Sequence, residues 1–247
     1  MALMQLDYYS SALQMSTLVN IIVPDEIRIA GKPLSETPVL WMLHGLSDDG
    51  SAPLRLSKLE LYAQETGLVV VMPSAGRSFY LDDIHGQNYF TLVSEELPHY
   101  LHLLLGLSNE KALNHIAGIS MGGYGAARIA LTHPERYSHV GLLSGVLDTS
   151  LRANQVSAEQ QHEFPFLYGD AARLTGELNP LSLLENAQGQ SLTIHVFCGT
   201  SDGLLPMSQN FVSRGRQLGL EITGSFSEGD HEWRFWDRSL DTFTHEL

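Results

Sequence analysis

Apolar and polar positions follow two alternating rhythms along this chain. Short runs with almost no polar residue, "PVLWMLHG" (38–45), "LVVVMP" (68–73), "SHVGLLSG" (138–145) and "LTIHVFC" (192–198), have the length and β-branched content of strands buried on both faces. "KALNHIAGIS" (111–120) and "LEITGSFSEG" (220–229) add two more strands, and "MQLDYYSSALQMSTLVNIIVP" (4–24) gives a further pair separated by a polar break. Between them the apolar positions repeat with helical spacing: 52–67, 91–107, 121–137, 205–219 and a last helix from His231. Gly67 is placed to cap the first of these and Pro134 to stop the third, while Pro98 is tolerable only in a first helical turn. Strands alternating with helices predict one α/β domain over residues 1–247, a mostly parallel sheet with helices on both faces. Residues 148–188, polar and irregular with short helical patches, read as a small insertion or cap after the sixth strand.

The candidate chemistry lies where the fifth strand gives way to the third helix. "GISMG" (Gly118–Gly122) sets Ser120 between glycines at a strand-to-helix turn, the context in which a serine is pushed off the end of a sheet on a strained backbone. The motif alone is modest, and a plain glycine-rich turn is its alternative reading. A serine hydroxyl needs a base to take its proton and an acid to orient that base. Asp202, in the glycine-flanked loop of "CGTSDG", and His231, in "EGDHEW", follow later strands in the order serine, acid, histidine. Asp148 also follows a strand and competes for the acid role, whereas Asp230 reads as a helix-capping residue. "LHGLSDD" ends the early strand where an oxyanion donor belongs: the backbone N–H of Leu46 is one candidate and that of Met121, directly after the serine, the other. His44 reads as a structural tie in that turn, and His85 as a pocket or surface residue.

Composition narrows the field. A formal charge of −14 with no basic cluster repels phosphate backbones and anionic headgroups, so neither nucleic acid nor membrane is an expected partner. A single cysteine, Cys198, excludes an internal disulfide framework, and the histidines show neither H-x-x-x-H nor H-E-x-x-H spacing, so no metal is expected. No dinucleotide-binding turn stands in a strand-to-helix setting, and no cofactor is expected. The first residues lack a basic region followed by an apolar one, so a cytoplasmic protein is expected. The expected partner is a small ester, and self-association is left open.

Taken in order, "HGLSDDGSA", "AGRSFYLDDIHGQNYFTLVSEELP", "GISMGGYGAARIALTHPERY", "CGTSDGLL" and "GDHEWRFWD" resemble the bacterial tributyrin esterases of the esterase D group. That group is similar to S-formylglutathione hydrolases and to the acetyl and feruloyl esterases of carbohydrate esters. The likeness spans the chain and implies an α/β-hydrolase fold, no cofactor, and cleavage of short acyl esters by a serine carboxylesterase. It assigns the nucleophile to Ser120, the acid to Asp202, the base to His231 and the oxyanion donors to Leu46 and Met121. One departure stands out: Pro53 occupies the place where the group has a tryptophan. "SAGRSFYLD" (74–82) fits S-formylglutathione hydrolases less well, and a catalytically silent binding module on the same fold is the non-enzymatic alternative.

Overall fold

The computed structural model describes residues 1–25, 31–83, 86–152 and 171–247. An all-apolar run must be covered on both faces, and among the described residues one sheet of eight strands achieves this. The strands are β1 (Ala2–Ser10), β2 (Met15–Val23), β3 (Val39–Leu43), β4 (Val69–Pro73), β5 (Asn114–Ile119), β6 (His139–Leu143), β7 (Thr193–Gly199) and β8 (Glu221–Ser227). Their spatial order is β1-β2-β4-β3-β5-β6-β7-β8. From β4 to β8 all pairs are parallel, while β1 and β2 form an antiparallel hairpin joined to β4 in antiparallel register. The expected mostly parallel sheet is thus present, with its antiparallel part confined to one edge.

Successive side chains on a strand point to opposite faces, and the two cores divide accordingly. Val39, Trp41 and Leu43 of β3 pack with Val69 and Val71 of β4 on one face, and Leu40, Met42, Val70 and Met72 on the other. The longer helices among the described residues are α1 (Ala52–Leu56), α2 (Leu59–Thr66), α3 (Leu97–Leu105), α4 (Met121–Thr132), α5 (Leu205–Gln217) and α6 (Trp233–His245). Residues of α3, α4 and α5 join the first core, those of α2 and α6 the second. Short helical turns at Ala171–Thr175, Pro180–Leu183 and Leu184–Ala187 fit the irregular segment expected after the sixth strand.

Two helices depart from the sequence reading. The stretch 52–67 is two helices, because Ser57 is extended (φ −135°, ψ 178°) and its hydroxyl both donates to Pro53 O and accepts from Leu59 N. Gly67 ends the second in the left-handed conformation, as expected. Pro98 stands in the first turn of α3, as expected, but helical backbone already starts at Tyr89 and passes through a wider π-turn at Leu92–Glu96 before it. Proline cannot donate to the carbonyl four residues back and clashes with it. The wide turn relieves that clash, and the Arg136 guanidinium takes the Ser94 carbonyl instead, at 2.8 Å.

The register brings the strand ends together. Leu43 pairs with Gly118, Ile119 with Leu143, and Leu143 with Phe197, so β3, β5, β6 and β7 finish at one level. The loops that follow them share one edge of the sheet, the place where open parallel sheets build their sites.

Candidate active site

Ser120 occupies the sharp turn from β5 into α4 with φ 56° and ψ −112°. A left-handed φ is unfavourable for a residue with a side chain and survives only where neighbours hold it. Here Ser120 N–H donates to Leu143 O of β6 at 2.9 Å, and Ser120 O accepts from Tyr124 N. The flanking glycines are required by close approach. A Cβ on Gly118 would stand 2.1 Å from Gly122 O, and one on Gly122 would stand 2.2 Å from Leu43 O. That answers the motif's modest specificity: here the glycines let strand, turn and helix meet.

His231 lies in the loop that leads into α6, its Nε2 3.0 Å from Ser120 Oγ and its Nδ1 2.9 Å from Asp202 Oδ2. Asp202 follows β7, and its other oxygen accepts the Leu204 amide at 2.8 Å. Burial alone raises the Asp202 carboxyl, but hydrogen bonds from His231, the Leu204 amide and Ser144 outweigh it and hold the group below the ordinary carboxylate value. An ionised Asp202 keeps the imidazole proton on Nδ1. Nε2 is then the acceptor for the Ser120 hydroxyl.

The turn after β3 closes on the same point. A Cβ on Gly45 would lie 3.8 Å from Ser120 Cβ, so Leu46 follows directly beside the serine. His44 is fully buried; its Nε2 accepts from Ala75 N at 2.9 Å, and its Nδ1–H donates to Gly45 O at 2.7 Å. Tyr80 hydroxyl donates to the His44 carbonyl at 3.0 Å. Burial lowers the His44 pKa, and the ring is a neutral tie between turns, as its place in the sequence suggests. A trans peptide is planar with N–H opposite C=O, so holding Gly45 O also aims the Leu46 N–H. The Met121 amide is the first of α4 and has no carbonyl one turn back within the helix.

The competing residues are elsewhere engaged. Asp148 follows β6, but its Oδ1 accepts from Ser150 N, Ser150 Oγ and Asn179 Nδ2, which makes it an organiser of its own loop. Asp230 accepts the backbone N–H of His231 at 2.7 Å but does not cap α6 as expected, because Glu232 holds the N-cap position and His231 lies before the helix. Pro53 is buried in the first turn of α1. His85 lies outside the described residues, as do residues 153–170 of the segment read as an insertion or cap. Two residues missed in the sequence stand close behind the site: Ser144 at the end of β6, and Trp236 of α6, whose ring meets His231 edge-on at 4.9 Å. Among the described residues no group of three or more His, Cys, Asp or Glu is arranged to hold a metal, and no helix is long and apolar enough to cross a membrane.

Comparison with known proteins gives the family and the fold. The model of the Esterase family matches residues 10–247. An acetyl esterase of Caldicellulosiruptor saccharolyticus is 25% identical over 258 residues, covering 97% of this chain and 96% of that protein. The substrate-bound structure of fluorophosphonate-binding serine hydrolase F from Staphylococcus aureus superposes with a TM-score of 0.89 at 26% identity, covering 99% of this chain and 97% of that one. The S-formylglutathione hydrolase apoenzyme of the same organism gives a TM-score of 0.85 at 26% identity, with 99% and 98% covered. The eight-stranded sheet is that of the α/β-hydrolase fold, as the sequence led one to expect. Matched along nearly its whole length, the chain belongs to the Esterase family and is a serine hydrolase of carboxylic esters.

Proposed function

We propose that Ser120, His231 and Asp202 form the catalytic triad of a single-domain esterase that prefers short acyl groups, of the tributyrin-esterase kind. The observation that carries this reading is the unbroken chain Asp202 Oδ2, His231 Nδ1, His231 Nε2 and Ser120 Oγ, with links of 2.9 and 3.0 Å. Ser120 attacks the ester carbonyl while His231 takes its proton, and Asp202 stabilises the imidazolium that forms. The negative charge that develops on the carbonyl oxygen is received by the amides of Leu46 and Met121; losing one such donor costs roughly 10²–10³ in kcat. His231 returns the proton to the leaving alcohol, and water activated by the same nitrogen releases the acid.

A short acyl group is supported by the end-to-end likeness to an acetyl esterase. A second reading, hydrolysis of the thioester S-formylglutathione by the same residues, is supported by the S-formylglutathione hydrolase at 26% identity. Residues 148–188 are the segment we assign to the cap over the acyl pocket. The decisive experiment is labelling with a fluorophosphonate, followed by peptide mapping. Label on Ser120, together with a folded Ser120→Ala protein at least ~10³-fold slower in kcat, supports the reading. Label on another residue, or a fully active Ser120→Ala protein, refutes it.

A further inference from the structure

Ser144 is fully buried and has φ 48°, a backbone that glycine adopts without strain and serine does not. What serine adds there is a hydroxyl. The Ser144 N–H donates to Phe197 O at 2.8 Å, which ties the end of β6 to β7, the strand leading to Asp202. Its Oγ accepts the indole N–H of Trp236 at 3.0 Å. An indole nitrogen only donates, so the hydroxyl keeps its own proton for another acceptor.

Two groups beside Ser144 compete for that proton, the Asp202 carboxylate and the Cys198 sulfur. Burial pushes the Cys198 thiol up to about 11, so it is neutral near pH 7. A charged carboxylate is the stronger acceptor, so the proton of the buried Ser144 hydroxyl would go to Asp202 rather than to the thiol. Trp236 meanwhile lies perpendicular to the His231 ring, centroids 4.9 Å apart. It therefore touches His231 through its ring and the Ser144 hydroxyl through its indole N–H.

We propose that Trp236 and Ser144 are positioning residues, a buried donor relay that holds the Asp202 carboxylate and the His231 ring in one arrangement. The inference rests on the reading of Ser120, His231 and Asp202 as the reacting set. Asp202 is then supplied with donors on every side: His231 Nδ1, the Leu204 amide and the Ser144 hydroxyl. Deprived of the last, the carboxylate would bind the proton it shares with His231 more tightly, and the base would be harder to free.

The test uses Ser144→Gly, which retains the left-handed backbone and deletes only the hydroxyl, and Trp236→Phe, which keeps a ring against His231 and deletes the donor. On p-nitrophenyl acetate each variant is expected to lose about tenfold in kcat with little change in KM, as for one hydrogen bond to a charged group. The acid limb of kcat/KM against pH is expected to move to higher pH in both, an effect that loosened packing alone would not produce. The double variant should lose far less than the product of the two single losses, because both act through one relay. Should Ser144→Gly not fold, the kcat and pH profile of Trp236→Phe decide the matter. Wild-type kcat with an unmoved acid limb, or losses that multiply, overturns the relay. Fluorophosphonate labelling of wild type separates the layers: if Ser120 is not labelled the triad reading fails, and this inference with it. If Ser120 is labelled and the profiles do not move, only the relay is wrong.

Discussion

Asp202 and His231 are bonded neighbours of opposite exposure: the carboxylate side chain is 1% accessible, the imidazole 36%. The ion pair that forms during the proposed turnover therefore has one member in a low-dielectric interior and the other facing incoming ester or water. An acid so enclosed acts strongly on its partner and exchanges no protons with solvent on its own account.

Replacing Asp202 by Asn is expected to leave the His231 position intact and to favour the wrong tautomer, lowering kcat by roughly 10³–10⁴. Asp148→Asn should be mild in kcat, since its bonds among the described residues reach Ser150 and Asn179. Steady-state kinetics on p-nitrophenyl acetate for both variants decides. The reverse ranking would move the acid to the end of β6.

Gly122→Ala tests the close approach of turn and strand. The added Cβ would stand 2.2 Å from Leu43 O and 2.7 Å from His44 O, both backbone atoms that cannot swing aside. Overpacking of this kind costs about 2 kcal/mol, or roughly 4–8 °C in Tm for a chain of this size. Gly203→Ala, where no atom lies within 4 Å of the new Cβ, should leave Tm unchanged. Equal Tm values for the two variants in a thermal melt would count against the packing argument.

Three neighbouring histidines make the fold sensitive to acid. His115, His139 and His195 lie on neighbouring strands with ring centroids 5.2 and 5.9 Å apart. Burial lowers all three, His115 to about 4 with help from His139. Their folded values lie below the ordinary 6.5, so the unfolded chain takes up protons first. This stability is complete above about pH 6.5 and drains as pH falls toward the folded values. The urea midpoint should be lower at about pH 5.5 than at about pH 7.5, and the gap should narrow in His115→Gln. Identical midpoints at the two pH values would contradict the assignment.

Acyl length tests the substrate reading. Each buried methylene adds about 0.8 kcal/mol until a pocket is full, after which added length is left in water or strains the walls. On p-nitrophenyl esters kcat/KM is expected to peak at about two to four acyl carbons and to fall steeply beyond about eight. A profile still rising at about twelve carbons, or a rate jump on emulsified substrate, would mark a lipase with a mobile lid instead.

Much of the site is legible in the sequence because its parts are local. Ser120, Asp202 and His231 each sit just past a strand with glycine close by, and chain order supplies the roles. Ser144 and Trp236 have no such signal. A serine after "GLL" reads as the end of a strand, and a tryptophan on an amphipathic helix reads as core. Only the pairing of β6 with β7 and the docking of α6 bring them to Asp202. The wide turn before Pro98 is hidden for a different reason. One extra residue in a turn leaves the apolar positions nearly in step, while the partner that makes it tolerable, Arg136, lies beyond β5 and α4.

The three bonds around His44 and Gly45 carry a consequence for recognition. Rotating the 45–46 peptide would break the bond to His44 Nδ1 and disturb the anchors at Ala75 and Tyr80, so its dipole points one way before any ester arrives. The orientational entropy of that amide is lost during folding, not during catalysis. In the proposed mechanism an incoming carbonyl would meet a field already in place, and the barrier would carry no reorganisation of the donor. Complementarity to charge at this point is thus inherited from the folded chain, and ligands will differ in how well they fit it more than in how well they induce it.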